Sequence, residues 1–284
     1  MLPEYAASGS DETIRPKGKT RVSFFCGEYQ RYLEPGFTPF DPLKLAEQTE
    51  AFVCRGHLRK YTKFYCTGVY GGIATGYACG CCLRCIFCWV NWSRDFPEKY
   101  GTFQSPAEVF SQLRRVARKA GVNQLRISGC EPTLGRSHLL DLLERVENSP
   151  FRLLILETNG ILIGADPDYA RQIAHFKKVH TRVSLKAGTP EAFTKKTGAR
   201  PESFELPLRG IANLMKAGAS CHVAAMTADP RIVSREERRT LLDRLATIHP
   251  ALVDNLEEEV VDPYPTTLER LRHAGVELSW SKRL

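Results

Sequence analysis

The chain has 284 residues, of which 43% are hydrophobic, so it can form one large α/β domain or two modest ones with a sizeable core. No apolar run approaches the ~20 residues of a membrane-spanning helix, and the N-terminus lacks the pattern of a secretory signal, so we expect a cytoplasmic protein without a membrane partner. The formal net charge of +8 suits nucleic acid, an anionic metabolite or simple solubility, and selects none of them.

The first 70 residues are predicted to form an extension that packs on the main domain. Residues 1–19 are polar and contain Pro and Gly, and they predict little regular structure. Residues 22–26 predict a short strand, and residues 41–52 predict an amphipathic helix. Residues 55–70 mix basic and aromatic side chains, and we interpret them as a lead-in to the domain.

From residue 71 onward, strands and helices alternate. Ser105-Pro106-Ala107-Glu108 begins one helix with a capping box and a proline in the first turn. Further helices are predicted at residues 138–146, 167–177, 202–217, 234–248 and 266–273. About six strands are predicted, at residues 73–78, 124–128, 151–156, 179–185, 221–226 and 256–261. This alternation predicts a parallel sheet, either an open partial barrel or a doubly wound sheet, because six units fall short of the eight of a closed barrel.

Four of the ten cysteines lie within residues 81–88. Cys81, Cys85 and Cys88 have the spacing C-x₃-C-x₂-C, and Phe87 precedes the last of them. Three close thiolates suit a metal ion or an iron–sulfur cluster, whereas structural disulfides are rare in a reducing compartment. Ligation by three cysteines leaves one iron of a four-iron cluster open to an outside molecule.

Polar residues follow four consecutive strands at their carboxyl ends. The cysteine stretch follows the first strand, and residues 128–133, 157–160 and 184–189 follow the next three. The carboxyl ends of parallel strands meet at one edge of a sheet, where α/β proteins bind their ligands. We therefore expect these four segments to form one site.

Together these motifs resemble the radical S-adenosylmethionine (SAM) superfamily. The resemblance rests on the three cysteines with Phe87, on the turn Ser128-Gly129-Cys130-Glu131-Pro132, which is similar to Gly-Gly-Glu-Pro, and on the β-α units of residues 72–261. It implies a partial (βα)6 barrel in residues 71–284, preceded by the extension of residues 1–70.

The resemblance also implies the cofactors and their chemistry. Cys81, Cys85 and Cys88 would hold a [4Fe–4S] cluster, and its open iron would chelate SAM. Reductive cleavage of SAM gives methionine and a 5′-deoxyadenosyl radical, which abstracts hydrogen from a substrate. An electron donor of the flavodoxin or ferredoxin type is implied as a partner.

The implied SAM-binding residues lie in the cysteine stretch and at the strand ends: Phe87, Gly129, Cys130, Glu131, Glu157, Ser184 and Lys186. Phe87 would lie by the adenine, and the turn at residues 129–131 would bind the amino group. Ser184 and Lys186 match positions that meet the ribose and the carboxylate in the activating-enzyme branch. The turn departs from the family pattern, because Cys130 replaces the second glycine and adds a side chain.

Alternatives to this assignment stay open. A structural zinc site would take a fourth thiolate from Cys79 or Cys82, and Cys82 competes with Cys81 because Cys82-x₂-Cys85 is also a chelating spacing. Cys54 and Cys66 are available, with Cys79, for a second cluster. A non-catalytic iron–sulfur protein would use full ligation by four cysteines.

The substrate is open between a protein, a small molecule and tRNA. Residues 189–199 are similar to pyruvate formate-lyase activating enzyme-like proteins, which make a glycyl radical on a partner protein. Residues 128–134 and Cys88-Trp89 are also similar to the wybutosine-base synthase branch, which acts on a guanosine in tRNA. Residues 70–75 are similar to a group of archaeal and bacterial members for which the resemblance gives no substrate. We expect Trp89 and Trp92, which flank the cysteine stretch, to pack over it.

Overall fold

The computed structural model describes residues 29–280, so the predictions for residues 1–19 and 22–26 lie outside the described residues. Within them, one sheet contains all the strands. The strands are β1 (Cys54–Arg55), β2 (Leu58–Thr67), β3 (Ile73–Ala78), β4 (Thr102–Gln104), β5 (Gln124–Gly129), β6 (Leu153–Thr158), β7 (Val179–Leu185), β8 (Ser220–Ala225) and β9 (Glu257–Glu258). The α-helices are α1 (Pro42–Val53), α2 (Pro106–Ala120), α3 (Arg136–Glu147), α4 (Ile161–Ala165), α5 (Pro167–Ala174), α6 (Pro190–Thr197), α7 (Glu205–Lys216), α8 (Arg235–Ile248), α9 (Ala251–Asp254) and α10 (Pro265–His273).

Six strands of this sheet run parallel, in the order β3-β5-β6-β7-β8-β9. At least one helix lies in the chain between each strand and the next. The predicted partial barrel of six β-α units is therefore confirmed, and its sheet does not close. All six residues of β3 are buried, as expected for a strand in the middle of the sheet.

The lead-in predicted at residues 55–70 is wrong, because this segment forms part of the sheet. β2 runs antiparallel to β3, with Cys66 opposite Ala74, and β1 and β4 both pair with β2. Arg59 and Lys60 are buried on β2. Two charged residues in a row do not look like part of a buried strand, so the sequence pattern did not indicate one. The boundary after residue 70 falls between two paired strands, and the division into two parts stays a prediction.

Local sequence signals set the ends of the helices. In α2, the hydroxyl of Ser105 accepts from the Glu108 N–H, the Glu108 carboxylate accepts from the Ser105 N–H, and Gly121 ends the helix in a left-handed conformation. The other predicted helices are present within a few residues of their expected bounds. We did not predict α4, α6 or α9; α4 and α9 have only five and four residues, too few to show a helical period.

Helices α4 and α7 approach each other closely at glycines. A Cβ on Gly164 would lie 1.8 Å from the carbonyl oxygen of Leu206, and a Cβ on Gly210 would lie 2.6 Å from that of Gly160. This contact fixes α4, and with it the end of β6, against the outer layer of the barrel. Among the helices of residues 29–280, none combines the length and the apolar character that crossing a membrane requires.

Candidate active site

A cavity of about 800 Å³ lies at the carboxyl ends of the parallel strands. Its lining includes every residue that the sequence predicted for the site: Cys81, Cys85, Phe87, Cys88, Gly129, Cys130, Glu131, Glu157, Ser184 and Lys186. The fold thus brings together residues from four strand ends, as the alternation of strands and helices requires.

The cysteine stretch follows β3 as a loop that the rest of the fold holds in place. The N–H groups of Arg84 and Ile86 donate to the carbonyl oxygens of Thr197 and Lys196, each over 2.9 Å. The N–H of Cys88 donates to the carbonyl oxygen of Cys85 over 3.2 Å. The loop is therefore attached to the end of α6, within the segment 189–199 that the sequence analysis singled out.

Three thiols of this loop surround the cavity. Within residues 29–280, no three His, Cys, Asp or Glu side chains converge closely enough to hold a single metal ion. Cys81, Cys85 and Cys88 instead border one space, which suits a cluster in which each thiolate binds a separate iron. The residues present therefore fit a [4Fe–4S] cluster with one iron left without a protein ligand.

Cys81 and Cys82 lie in different environments. The amide nitrogen of Asn159 lies 3.3 Å from the sulfur of Cys82 and 3.7 Å from that of Cys81. A hydrogen bond from Cys82 lowers the pKa of Cys81 to about 7. Cys82 is fully buried and does not border the cavity, and neither does Cys79. Of these two thiols only that of Cys81 borders the cavity, and its assignment as a ligand stays a prediction.

The cysteines considered for a second cluster lie apart from the cavity. The thiol of Cys79 donates to the carbonyl oxygen of Tyr100, and that of Cys66 to the carbonyl oxygen of Thr67. Neither of them, nor Cys54, borders the cavity, and burial raises the pKa of Cys79 to about 11.

Glu131 ties two strand ends together. Its carboxylate accepts hydrogen bonds from the N–H (3.0 Å) and hydroxyl (2.6 Å) of Thr133, from the hydroxyl of Thr158 (2.7 Å) and from the N–H of Asn159 (2.8 Å). Four donors occupy about all the acceptor positions of a carboxylate. Glu131 therefore holds the turn after β5 against the end of β6, and a contact of the turn with SAM stays a prediction.

The floor of the cavity near β5 and β6 is a hydrogen-bonded ion pair. One oxygen of the Glu157 carboxylate accepts from Arg126 over 3.1 Å, and the other accepts from the hydroxyl of Ser128. Arg126 also donates to the hydroxyls of Thr75 (3.0 Å) and Thr67 (3.3 Å). Arg126 is buried, so this network fixes Glu157 in one orientation.

A second ion pair lines the cavity near β7 and β9. Arg182 donates to both oxygens of Glu257 and to Glu259, each over 2.8 Å. These bonds to Arg182 are the main reason that the pKa of Glu257 lies far below its usual range. Ser184 accepts a hydrogen bond from the ammonium group of Lys186, which forms no ion pair with a carboxylate of residues 29–280.

Sequence reasoning missed Arg126 and Arg182. Both point into the cavity from mid-strand positions, two residues before Ser128 and Ser184 respectively. Alternate residues of a strand face the same side, so the spacing of these polar residues was a usable signal. The prediction considered only the strand ends and therefore did not include these two arginines.

Exposed aromatic side chains surround the mouth of the cavity. Of the eight large hydrophobic side chains exposed within residues 29–280, six border the cavity: Tyr65, Val69, Tyr70, Trp89, Val260 and Tyr264. Trp89 is 43% exposed and contacts the rings of Tyr77 and Tyr264 beside the cavity, so a role in shielding the loop stays a prediction. Trp92 does pack, edge-on against Phe96 and Tyr32.

Comparison with known proteins agrees with this site. The family described as the radical SAM superfamily matches residues 77–245, which is more than half of the chain. A probable GTP 3′,8-cyclase of Methanococcus aeolicus is 30% identical over 141 residues, which are 49% of this chain and 44% of the relative. A probable GTP 3′,8-cyclase of Pyrobaculum aerophilum is 26% identical over 172 residues, covering 61% of this chain and 53% of the relative. The chain thus spans about half the length of these relatives.

The fold has a counterpart among solved structures. The structure of SuiB of Streptococcus suis bound to the precursor peptide SuiA matches this fold with a TM-score of 0.53 and 20% sequence identity. The match covers 73% of this chain and 41% of the SuiB chain. The family match, the open parallel sheet and the three cysteines at its carboxyl edge lead to one conclusion. The chain belongs to the radical SAM superfamily, whose enzymes use a [4Fe–4S] cluster and SAM.

Proposed function

We propose that Cys81, Cys85 and Cys88 hold the [4Fe–4S] cluster and that the enzyme cleaves SAM to abstract hydrogen from a substrate in the same cavity. Held by these three cysteines, the cluster would supply the electron for reductive cleavage of SAM to methionine and a 5′-deoxyadenosyl radical. The observation that supports this function is the single cavity that borders all the predicted cluster and SAM residues.

The side chains of the cavity bind and orient SAM in this proposal. Lys186 donates to Ser184, and an ammonium has three donors, so two remain for the carboxylate of SAM. Phe87 is buried beside the cysteines, where its ring and backbone are available to the adenine. Glu131 acts at one remove, because it fixes the turn of Gly129 and Cys130 that borders the cavity.

The mouth of the cavity supports a substrate with a large apolar or aromatic face. Exposed aromatic side chains would lose contact with water when such a substrate binds, and this favours association. The arginines of the cavity are each bound to a carboxylate, Arg126 to Glu157 and Arg182 to Glu257. A polyphosphate would find few free cations there.

These two observations favour a polypeptide substrate, as in the activating-enzyme branch, over a nucleoside triphosphate or tRNA. This proposal predicts that neither GTP nor bulk tRNA increases the rate of 5′-deoxyadenosine formation above the rate measured without substrate. The comparison is made on the reconstituted, reduced enzyme at saturating SAM. An increase of several-fold with either compound would contradict the proposed substrate class.

The test of the function itself is anaerobic reconstitution with iron and sulfide, followed by reduction and addition of SAM. We expect iron–sulfur absorbance and equal amounts of methionine and 5′-deoxyadenosine. Cys85→Ala should lose both the absorbance and the product. Cys82→Ala is the matched control, because Cys82 lies in the same loop but outside the cavity. If the wild-type enzyme has a fully loaded, reducible cluster and forms no 5′-deoxyadenosine, the proposal is wrong. If only Cys82→Ala loses the cluster, Cys82 is a cluster ligand instead of its neighbour.

A further inference from the structure

Each of the three cysteines proposed as cluster ligands has its backbone carbonyl bound by a different buried arginine. The bonds join a guanidinium nitrogen (Nη1) to the carbonyl oxygen. The pairs are Arg84 with Cys81 (2.7 Å), Arg94 with Cys85 (2.6 Å) and Arg270 with Cys88 (2.5 Å). We call these three arginines the arginine collar.

The collar combines two arginines of the loop region with one from a distant part of the chain. Arg84 lies inside the cysteine stretch, Arg94 lies just after it, and Arg270 comes from α10. All three are at most 2% exposed. Arg270 also donates to the carbonyl oxygens of Val90 (2.5 Å) and Asn91 (3.0 Å), so it fixes the second half of the loop.

The collar carries more positive charge than its buried partners neutralise. Arg94 and Arg270 share one fully buried carboxylate, that of Asp95. Arg84 forms no ion pair with a carboxylate of residues 29–280; it binds carbonyl oxygens and lies over the ring of Tyr29. Its Nη2 is buried without a hydrogen-bond partner in the described part of the chain, as is Nε of Arg270.

An uncompensated buried cation is costly, so a fold that keeps one has a reason to do so. Each arginine of the collar is bonded to the backbone of one of the three proposed ligands, and a cluster bound by three thiolates is a net anion. Reduction makes that anion more negative by one charge. Nearby buried cations therefore stabilise the reduced cluster more than the oxidised one, because little water screens them.

We propose that the arginine collar compensates the charge of the cluster and raises its reduction potential, which eases transfer of one electron from the external donor. This inference rests on the proposed function, because it requires the cluster on Cys81, Cys85 and Cys88. Net charge and hydrogen bonds near the ligands are established determinants of cluster potentials. No bond is made or broken in this step; the donor loses one electron and the cluster gains it.

Arg84 offers the sharpest test, since its charge has no carboxylate partner in the described chain. Arg84→Met removes the charge and keeps most of the volume, whereas Arg84→Lys keeps the charge and loses the planar fork. The midpoint potential of the reconstituted cluster is measured by redox titration with EPR detection, without SAM. We expect Arg84→Met to lower the equilibrium constant for one-electron reduction at least tenfold, which is about 59 mV. Arg84→Lys should restore most of this shift.

Arg59→Met is the matched control, because Arg59 is equally buried and binds backbone carbonyls of residues other than the three ligands. It should reduce thermal stability and leave the potential near that of wild type. If Arg84→Met yields too little folded protein, Arg270→Met gives the same comparison from α10.

The outcomes separate the two proposals. A wild-type protein that takes up no iron–sulfur cluster contradicts the proposed function and this inference with it. A loaded cluster whose potential is equal in wild type, Arg84→Met and Arg270→Met contradicts the inference alone and leaves the arginines a structural role. An equal shift in Arg59→Met would also overturn it, because the effect would not depend on the collar.

Discussion

At the residue scale, Lys186 differs from the other cations that border the cavity. Arg94, Arg126 and Arg182 each bind a carboxylate, whereas Lys186 binds only the hydroxyl of Ser184 among the described residues. Its charge also acts on Cys85, where it opposes the rise in pKa that burial causes. Lys186 is thus the cation best placed for a carboxylate that enters the cavity from outside.

We expect Lys186→Gln to weaken SAM binding by about 10- to 100-fold, because a hydrogen bond to a charged group contributes about 1.5–3 kcal/mol. The iron content should stay unchanged. Equilibrium binding of SAM to the reconstituted enzyme measures the effect. The control is Lys178→Gln, since Lys178 precedes the same strand at its opposite end and binds backbone carbonyls there. SAM affinity within twofold of wild type in Lys186→Gln would refute the assignment.

The sequence was informative for residues that bear chemistry in a local motif and silent on those that act across the chain. The cysteine spacing and the turn at Glu131 lie within ten residues each, so they can be read directly. The bond from Arg270 to Cys88 joins residues that are 182 positions apart, and nothing local marks it. Buried arginines in particular look like surface charges until the fold shows what surrounds them.

At the element scale, prediction succeeded where a pattern was long or was bounded by a cap. Helix α2 has a capping box and 15 residues, and β7 alternates in polarity over seven. Strand β2 was not predicted, because Arg59 and Lys60 are charged and yet buried. Their hydrogen bonds to carbonyl oxygens make this burial possible, and a hydropathy pattern does not show such bonds. Helix α4 was not predicted, because it has only five residues and depends on packing against α7.

The contact between α4 and α7 leads to a prediction on how the site is supported. Gly164→Ala should lower the free energy of unfolding by about 2–3 kcal/mol or more, because the new methyl group would meet backbone atoms. This value is at the upper end of the range for overpacked interiors. Urea denaturation of the cluster-free protein measures this change. Gly68→Ala is the control, since a Cβ there meets no atom within 4 Å, and it should stay within about 0.5 kcal/mol.

The same helix connects stability to the site. Helix α4 begins at Ile161, directly after the segment Asn159-Gly160, and the side chain of Asn159 contacts Cys82 and Cys81. We therefore expect Gly164→Ala to reduce iron retention as well as stability. A change below about 0.5 kcal/mol would mean that α4 and α7 can move apart without cost, and that this contact does not position the loop.

At the scale of the whole molecule, the barrel and the cysteine loop share one apolar core, but the loop depends on further hydrogen bonds to two helices. The parallel strands have a continuous buried core that includes Leu125, Leu156 and Val183. The loop adds Leu83, Ile86 and Phe87 to the same core, and it is also attached by hydrogen bonds to the end of α6 and, through Thr267 and Arg270, to α10. Removal of the cluster should therefore affect the loop and α10 first, because it leaves the positive charge of the collar without its counterion.

Hydrogen exchange on loaded and cluster-free protein tests this division. Amides of residues 80–97 and of α10 should exchange at least about tenfold faster without the cluster, which is about 1.4 kcal/mol of local opening free energy. Amides of β6 and β7 should keep their protection, because their hydrogen bonds are made to neighbouring strands and not to the loop. The cluster-free form of Arg84→Met should show a smaller increase in the loop, since it has less uncompensated charge. Faster exchange throughout the sheet would instead mean that the barrel itself depends on the cluster, as in small domains that fold only with their metal.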